Sequence, residues 1–141
     1  MIVEIVTSEI DFLLMENIRY ARIKAGFDQV ELAQKLGVSE GYIGNIENPK
    51  SSAKANVRMI ARIANALNLK SYQEIMPQNI VQNDIVRLRL DLLEVNTRTQ
   101  VLDENGNVPE RLRIISKEIL TQNQFSAFKK NDGPYCKIIK K

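Results

Sequence analysis

Residues 29–48, QVELAQKLGVSEGYIGNIEN, set two short apolar-periodic segments on either side of a single glycine, and this spacing restricts the fold more than anything else in the chain. Leu32, Ala33 and Leu36 recur at helical spacing before Gly37, and Val38, Ile43 and Ile46 do so after it. Two short helices joined so tightly must cross at a steep angle. The crossing needs a small residue where the helices touch, which Ala33 provides, and a turn residue free to take positive φ, which is Gly37. With Val38, Ile43 and Ile46 turned into a core, Glu40, Gly41, Tyr42, Gly44 and Asn45 are left outward. Gln29 opens the first segment, where its side chain and the free N–H groups can meet a phosphate.

The flanking sequence is punctuated as further short helices. Ser8 and Asp11 read as the N-cap of a helix carrying Ile10, Leu14, Ile18, Ala21 and Ala25, which Gly26 stops. Asp28 with Glu31 caps the next helix. Ser39 is expected to cap the one that runs to about Glu47, and Asn48-Pro49 breaks it. Val57, Ile60, Ala61, Ala64 and Leu67 predict a fourth apolar stripe, and Ser71 with Glu74 a capping box for a last short turn before Pro77. Residues 1–77 are thus expected to form one unit of five helices.

Beyond Pro77 the period changes. Val86, Leu88 and Leu90 alternate with Arg87, Arg89 and Asp91, as in a strand with one buried face. Residues 95–110 are rich in turn residues. Leu112 and Ile114 alternate with Arg111 and Arg113, which suits a second strand, although a helix starting near Pro109 fits almost as well. Thr121 with Gln124 predicts a short helix to about Lys130, and Asp132-Gly133-Pro134 a turn into a final strand over 135–139. The expected whole is mainly α: a five-helix domain over 1–77, then a small α+β appendage over 78–141. The arginine pairs 87/89 and 111/113 read as the wet face of its sheet.

Composition bears on chemistry by what it omits. The chain has no His and a single Cys, Cys136, so the usual general base, a Cys/His nucleophile and a zinc site are all missing. No catalytic, cofactor or metal site is expected. The apolar N-terminus carries Glu4, Glu9 and Asp11 where a secretion signal needs basic residues, and no run approaches the roughly 20 apolar residues of a membrane span. The expected address is the cytoplasm, without membrane contact.

The pattern Ile18-Arg19…Arg22…Gly26-Phe27-Asp28-Gln29-x-Glu31-Leu32-Ala33, Leu36-Gly37-Val38-Ser39, Ile43…Ile46-Glu47-Asn48 and Ile63-Ala64…Ala66-Leu67-Asn68…Ile75 resembles the Xre family of bacterial and phage repressor-like regulators over roughly residues 10–76. The resemblance implies a repressor-like helix-turn-helix domain that binds double-stranded DNA and regulates transcription. It implies a structural ion pair between Arg22 and Glu47, and a base-reading face of Glu40, Gly41, Tyr42 and Asn45. Asn45 is suited to a bidentate contact with adenine, and Glu40 to a cytosine amino group. Gln29, Ser39, Lys50, Ser51, Ser52 and Lys54 are the expected phosphate contacts. Two departures stand out: the recognition segment 40–47 holds no Lys or Arg, and Pro49 occupies a position where the family more often has Gly.

The net charge of +3 is unevenly spread. Residues 1–80 hold 9 basic and 9 acidic side chains, and 81–141 hold 11 and 8. The motif, rather than bulk charge, therefore carries the DNA expectation. One recognition helix reads few bases, so a homodimer on two half-sites about 34 Å apart is expected, with 78–141 as the dimerisation element. The alternative is an antitoxin-type protein whose C-terminal region binds a protein partner. The layout also resembles cyanase, but the Arg followed three residues later by Glu that such a catalytic domain implies occurs nowhere in the chain.

Overall fold

The computed structural model describes residues 1–94, 101–131 and 135–141. The chain enters through strand β1 (Ile2–Ser8) and turns directly into helix α1 (Glu9–Lys24). Ser8 serves both elements: it ends the strand, and its hydroxyl accepts from the Asp11 N–H at 3.4 Å to cap the helix. Gly26, at φ 82°, lets the chain leave α1. The Asp28–Glu31 capping box opens α2 (Gln29–Leu36), which Gly37 closes in the left-handed conformation at φ 71°. Next come α3 (Gly41–Glu47) and α4 (Val57–Ala66), the latter capped by Asn56. The fifth helix expected before Pro77 is a single 3-10 turn, Tyr72–Glu74, held by the Ser71–Glu74 capping box.

The remainder comprises β2 (Ile85–Leu92), β3 (Leu112–Ile119), α5 (Gln122–Lys130) and β4 (Cys136–Lys140). The second alternating segment is therefore a strand, not a helix. The Thr121–Gln124 capping box opens α5. The turn expected at 132–134 and part of the 95–110 connection lie outside the described residues.

The four strands form one antiparallel sheet in the order β3-β2-β1-β4. β1 is interior, pairing Val3 with Leu90 and Ile5 with Leu88 on one side, and Ile5 with Cys136 on the other. Two hydrophobic clusters result, and α1 contributes to both. Leu14, Ile18 and Ala21 join α2, α3 and α4 in the helical core, while Phe12 and Met15 lie against Val3, Ile5, Val86, Leu88 and Leu90 of the sheet. The other face of the sheet is wet, with Arg87 and Arg89 both paired to Glu4 and Arg87 also to Glu118.

Several expectations change. With about 40% helix and 21% strand, the molecule is mainly α only over its helical portion. Residues 2–8 were expected within the helical unit, yet they pair with β2 and β4 in the sheet. Val57 was expected in the apolar stripe of α4, but it is 84% exposed at the first turn; Met59, Ile60 and Ile63 face the core instead. Arg111 was expected on the wet face of the sheet, but it is buried against α1.

Candidate nucleic-acid interface

Helix α3 is fixed from behind. Ile43 and Ile46 are buried in the helical core, and Glu47 closes the helix with only 1% of its side chain exposed. Arg22, wholly buried on α1, donates through Nε to Glu47 Oε2 at 2.7 Å and through Nη2 to Oε1 at 2.8 Å. Its Nη1 donates to the Phe27 carbonyl at 2.7 Å, so each of the three guanidinium nitrogens has a partner. The fork ties α1 to the last residue of α3 and, through Phe27, to the entry of α2.

Gln29 is buried rather than poised over solvent. Its Nε2 donates to Glu47 Oε1 at 3.2 Å, which makes its side chain the third partner of the ion pair. This also accounts for Gly44. A Cβ at that position would stand 3.2 Å from Gln29 Oε1, so α3 approaches α2 through a residue without a side chain. A Cβ at Gly41 would meet nothing within 4 Å, and this glycine faces open space.

Glu40, Gly41 and Asn45 are exposed, and they share a groove of about 490 Å³ with Gln29, Gly44 and Lys50. Tyr42 departs from the expected outward face: it is half-buried and packs against the helical core. The cap of α3 also differs from expectation. Glu40 occupies the N-cap with helical backbone angles and no side-chain cap bond, while the exposed Ser39 offers its carbonyl to the Tyr42 N–H at 3.0 Å.

The loop after α3 is shaped by its own side chains. Asn48 Oδ1 accepts from the Lys50 N–H at 2.9 Å, and Ser51 Oγ from the Ala53 N–H at 3.2 Å. Lys50 and Ser52 are exposed, and Ser51 is partly so. Lys54 turns the other way. Its ammonium donates to the Ser51 and Ala53 carbonyls at 2.6 and 3.2 Å and lies 5.0 Å from the centre of the Tyr135 ring at the entry to β4. Burial lowers its pKa to about 8, with Arg111 adding to the shift and Asp11 opposing it. The four residues expected as a clamp thus divide into Lys50, Ser51 and Ser52 near solvent and Lys54 bridging loop and sheet.

Arg111 is the groove residue that sequence reading missed. It arrives from the segment just before β3 and bonds Glu16 of α1 through Nε at 3.1 Å and through Nη2. Beside it, Arg19 donates to the Pro109 carbonyl at 2.9 Å, and burial with the adjacent Arg111 holds the Arg19 guanidinium down at about 10. No local pattern signals this wedge, because Arg111 lies 95 positions from its partner and alternates like a strand residue.

Among the described residues no acidic, Cys or His cluster could hold a metal ion, and no helix is long and apolar enough to cross a membrane. Residues 18–75, from the middle of α1 to the end of the 3-10 turn, match the family model described as Helix-turn-helix. No curated protein and no solved structure matches the chain.

Proposed function

We propose that the protein is a sequence-specific DNA-binding transcriptional regulator of the repressor-like Xre type that inserts α3 into the major groove and works as a homodimer, a reading supported by the match of residues 18–75 to the Helix-turn-helix family model. The observation that carries this reading is the contrast between the two sides of α3. The inner side is locked by Ile43, Ile46 and the Arg22–Glu47–Gln29 network, whereas Glu40, Gly41 and Asn45 are exposed along a groove, with no side-chain hydrogen bond from Glu40 or Asn45 to the described residues. Asn45 reads adenine, Glu40 takes a cytosine amino group, and the exposed Lys50 with Ser51 and Ser52 positions the backbone. Tyr42 is half-buried against the helical core and contributes to base reading only from the part left uncovered, and Ser39 stands exposed beside the helix start.

Selection from random duplexes tests the reading. An enriched motif is expected, and its affinity should fall with salt at a slope near −0.9 per neutralised phosphate. Asn45→Ala should relax one base position, and Lys50→Ala should weaken all sequences alike. No enrichment at low salt sinks the proposal.

A second reading, an antitoxin-type protein whose C-terminal region binds a protein partner, is favoured by α5. None of its residues is buried, and Phe125 and Phe128 are only partly covered. A defined-stoichiometry complex with the product of an adjacent toxin-like reading frame, lost on Phe125→Ser/Phe128→Ser, would establish it.

A further inference from the structure

We propose that β3 pairs antiparallel with β3 of a second copy of this chain, joining two four-stranded sheets into one of eight across a twofold axis between Ile115 and Ser116. This rests on the homodimer reading above and gives it a surface.

β3 is an edge strand of eight residues without proline, and seven of the eight are exposed, including Ile114, Ile115 and Ile119 at 51–56%. Such an edge presents a row of backbone donors and acceptors that another strand can meet. Its sequence, LRIISKEI, is self-complementary about its centre. In the twofold register Leu112 stands opposite Ile119 of the second copy, Arg113 opposite Glu118, Ile114 opposite Lys117, and Ile115 opposite Ser116. Two opposite-charge pairs and two apolar pairs therefore form at once, because each occurs twice by symmetry.

The bulge makes this register workable. Side chains alternate faces with period 2, so in a regular strand residues 112 and 119 would lie on opposite faces. Here the pairing with β2 shifts by one: Ser116 lies opposite Arg89 and Ile114 opposite Leu90, which leaves Ile115 as the extra residue. Leu112, Ile114, Lys117 and Ile119 consequently share the inner face with Leu92, Leu90, Leu88 and Val86, while Arg113 and Glu118 share the outer face with Asp91 and Arg87. Every proposed pair flanking the dyad then joins like faces. Lys117 does not oppose the pairing, since its ammonium is held by Glu9 at 3.0 Å and its stem is free to lie along Ile114 of the second copy. The other edge lacks this property. β4, CKIIK, carries two lysines and no acidic residue, so no antiparallel self-pairing offers it an opposite charge.

The test is charge exchange on the full chain, read by sedimentation equilibrium. Wild type should show twice the protomer mass. Arg113→Glu sets Glu against Glu118 twice, and Glu118→Arg sets Arg against Arg113 twice, so each variant alone should dissociate about ten- to hundredfold more readily. Mixed one to one, they restore both opposite-charge pairs, and the doubled mass should return. Arg113 is 64% exposed, and its ion pair among the described residues is a long one to Glu110; because Arg113→Glu also faces Glu110 and Asp91, retained circular dichroism is the control that its fold is intact. Should Glu118→Arg lose structure with its Arg87 partner, Ile115→Lys provides a second route, bringing two like charges to the dyad and halving the mass. A wild type monomeric at about 100 μM, well above a micromolar dissociation constant, variants that keep the wild-type dimer, a mixture that stays monomeric, or masses beyond two protomers would each overturn the proposal. Duplex selection reports separately: a doubled mass without an enriched motif breaks the DNA reading alone, and an enriched motif with a monomer breaks the β3 pairing and the homodimer with it while leaving the DNA reading standing.

Discussion

The helical and sheet portions solve one packing problem in opposite ways. The helical core gathers fifteen buried residues from four helices and the segment after the 3-10 turn, and seals a charged pair inside. The sheet core has seven, two of them supplied by α1, and the strands beyond it are left largely open. A helix bundle can enclose its apolar stripes on all sides, whereas a four-stranded sheet covered by one helix keeps one wet face and two free edges. The closed portion can therefore hold the exposed side of α3 rigidly, and the open portion leaves strand edges without a neighbour among the described residues.

The buried fork offers the sharpest way to break this contrast. Glu47→Ala leaves the fully buried Arg22 without its carboxylate and Gln29 without its acceptor. Chemical denaturation should show a loss of about 3–5 kcal/mol. A loss within about 1 kcal/mol of wild type would mean that the guanidinium finds water, and that the helical portion is no more closed than the sheet.

In the sheet the corresponding probe is Ile5, fully buried on β1 between Leu88 and Cys136. Ile5→Ala should lose about 2–3 kcal/mol, toward the lower end for such truncations because a thin core can settle around the gap. Because β1 runs straight into α1, the transition should stay single by both fluorescence and circular dichroism. Separate melting of strands and helices would show that α1 does not couple them.

Both probes fall where the sequence was unevenly legible. Four helix starts followed from caps that act over three residues, Ser8–Asp11, Asp28–Glu31, Ser71–Glu74 and Thr121–Gln124, whereas the cap expected from Ser39 does not form and that of Asn56 was not foreseen. β1 was not legible, because its run Ile2-Val3-Glu4-Ile5-Val6 is nearly continuously apolar and so hides the alternation by which Val3 and Ile5 face the sheet core while Glu4 meets Arg87 and Arg89 on the wet face. Arg111 and Lys54 escaped for a different reason. Their surroundings are assembled by the sheet folding back over α1 and the loop after α3, and no local period encodes a contact 95 residues away. Tyr42 looked free because its neighbours Gly41 and Gly44 are small, yet its ring lies against the core.

The two glycines of α3 give a smaller and more selective test. Gly→Ala inside a helix gains up to about 1 kcal/mol from backbone entropy. At Gly41 nothing opposes the gain, so Gly41→Ala should be neutral to stabilising by a few tenths, its position in the first turn limiting the benefit. At Gly44 the new methyl would press on Gln29 Oε1 at 3.2 Å and loosen the bond to Glu47, so Gly44→Ala should lose about 1 kcal/mol relative to Gly41→Ala. Equal melting temperatures would show that Gln29 yields freely and that the network behind α3 is softer than its distances indicate.

The smallest effect probes the seam between the two portions, where the Lys54 ammonium sits over Tyr135. Its pKa of about 8 when folded lies below the 10.5 of an ordinary lysine, chiefly because burial disfavours the charge. Between these values the unfolded chain binds the proton more tightly, so unfolding takes protons up and stability rises as pH climbs from about 8 toward 10. Subtracting Lys54→Met from wild type isolates this contribution from the other lysines that titrate nearby, and the wild-type advantage should grow across that interval. Burial pushes the neighbouring Tyr135 hydroxyl above its ordinary value. A difference that stays flat between pH 8 and 10 would mean that the ammonium leaves the seam for solvent, and that loop and sheet meet only loosely behind α3.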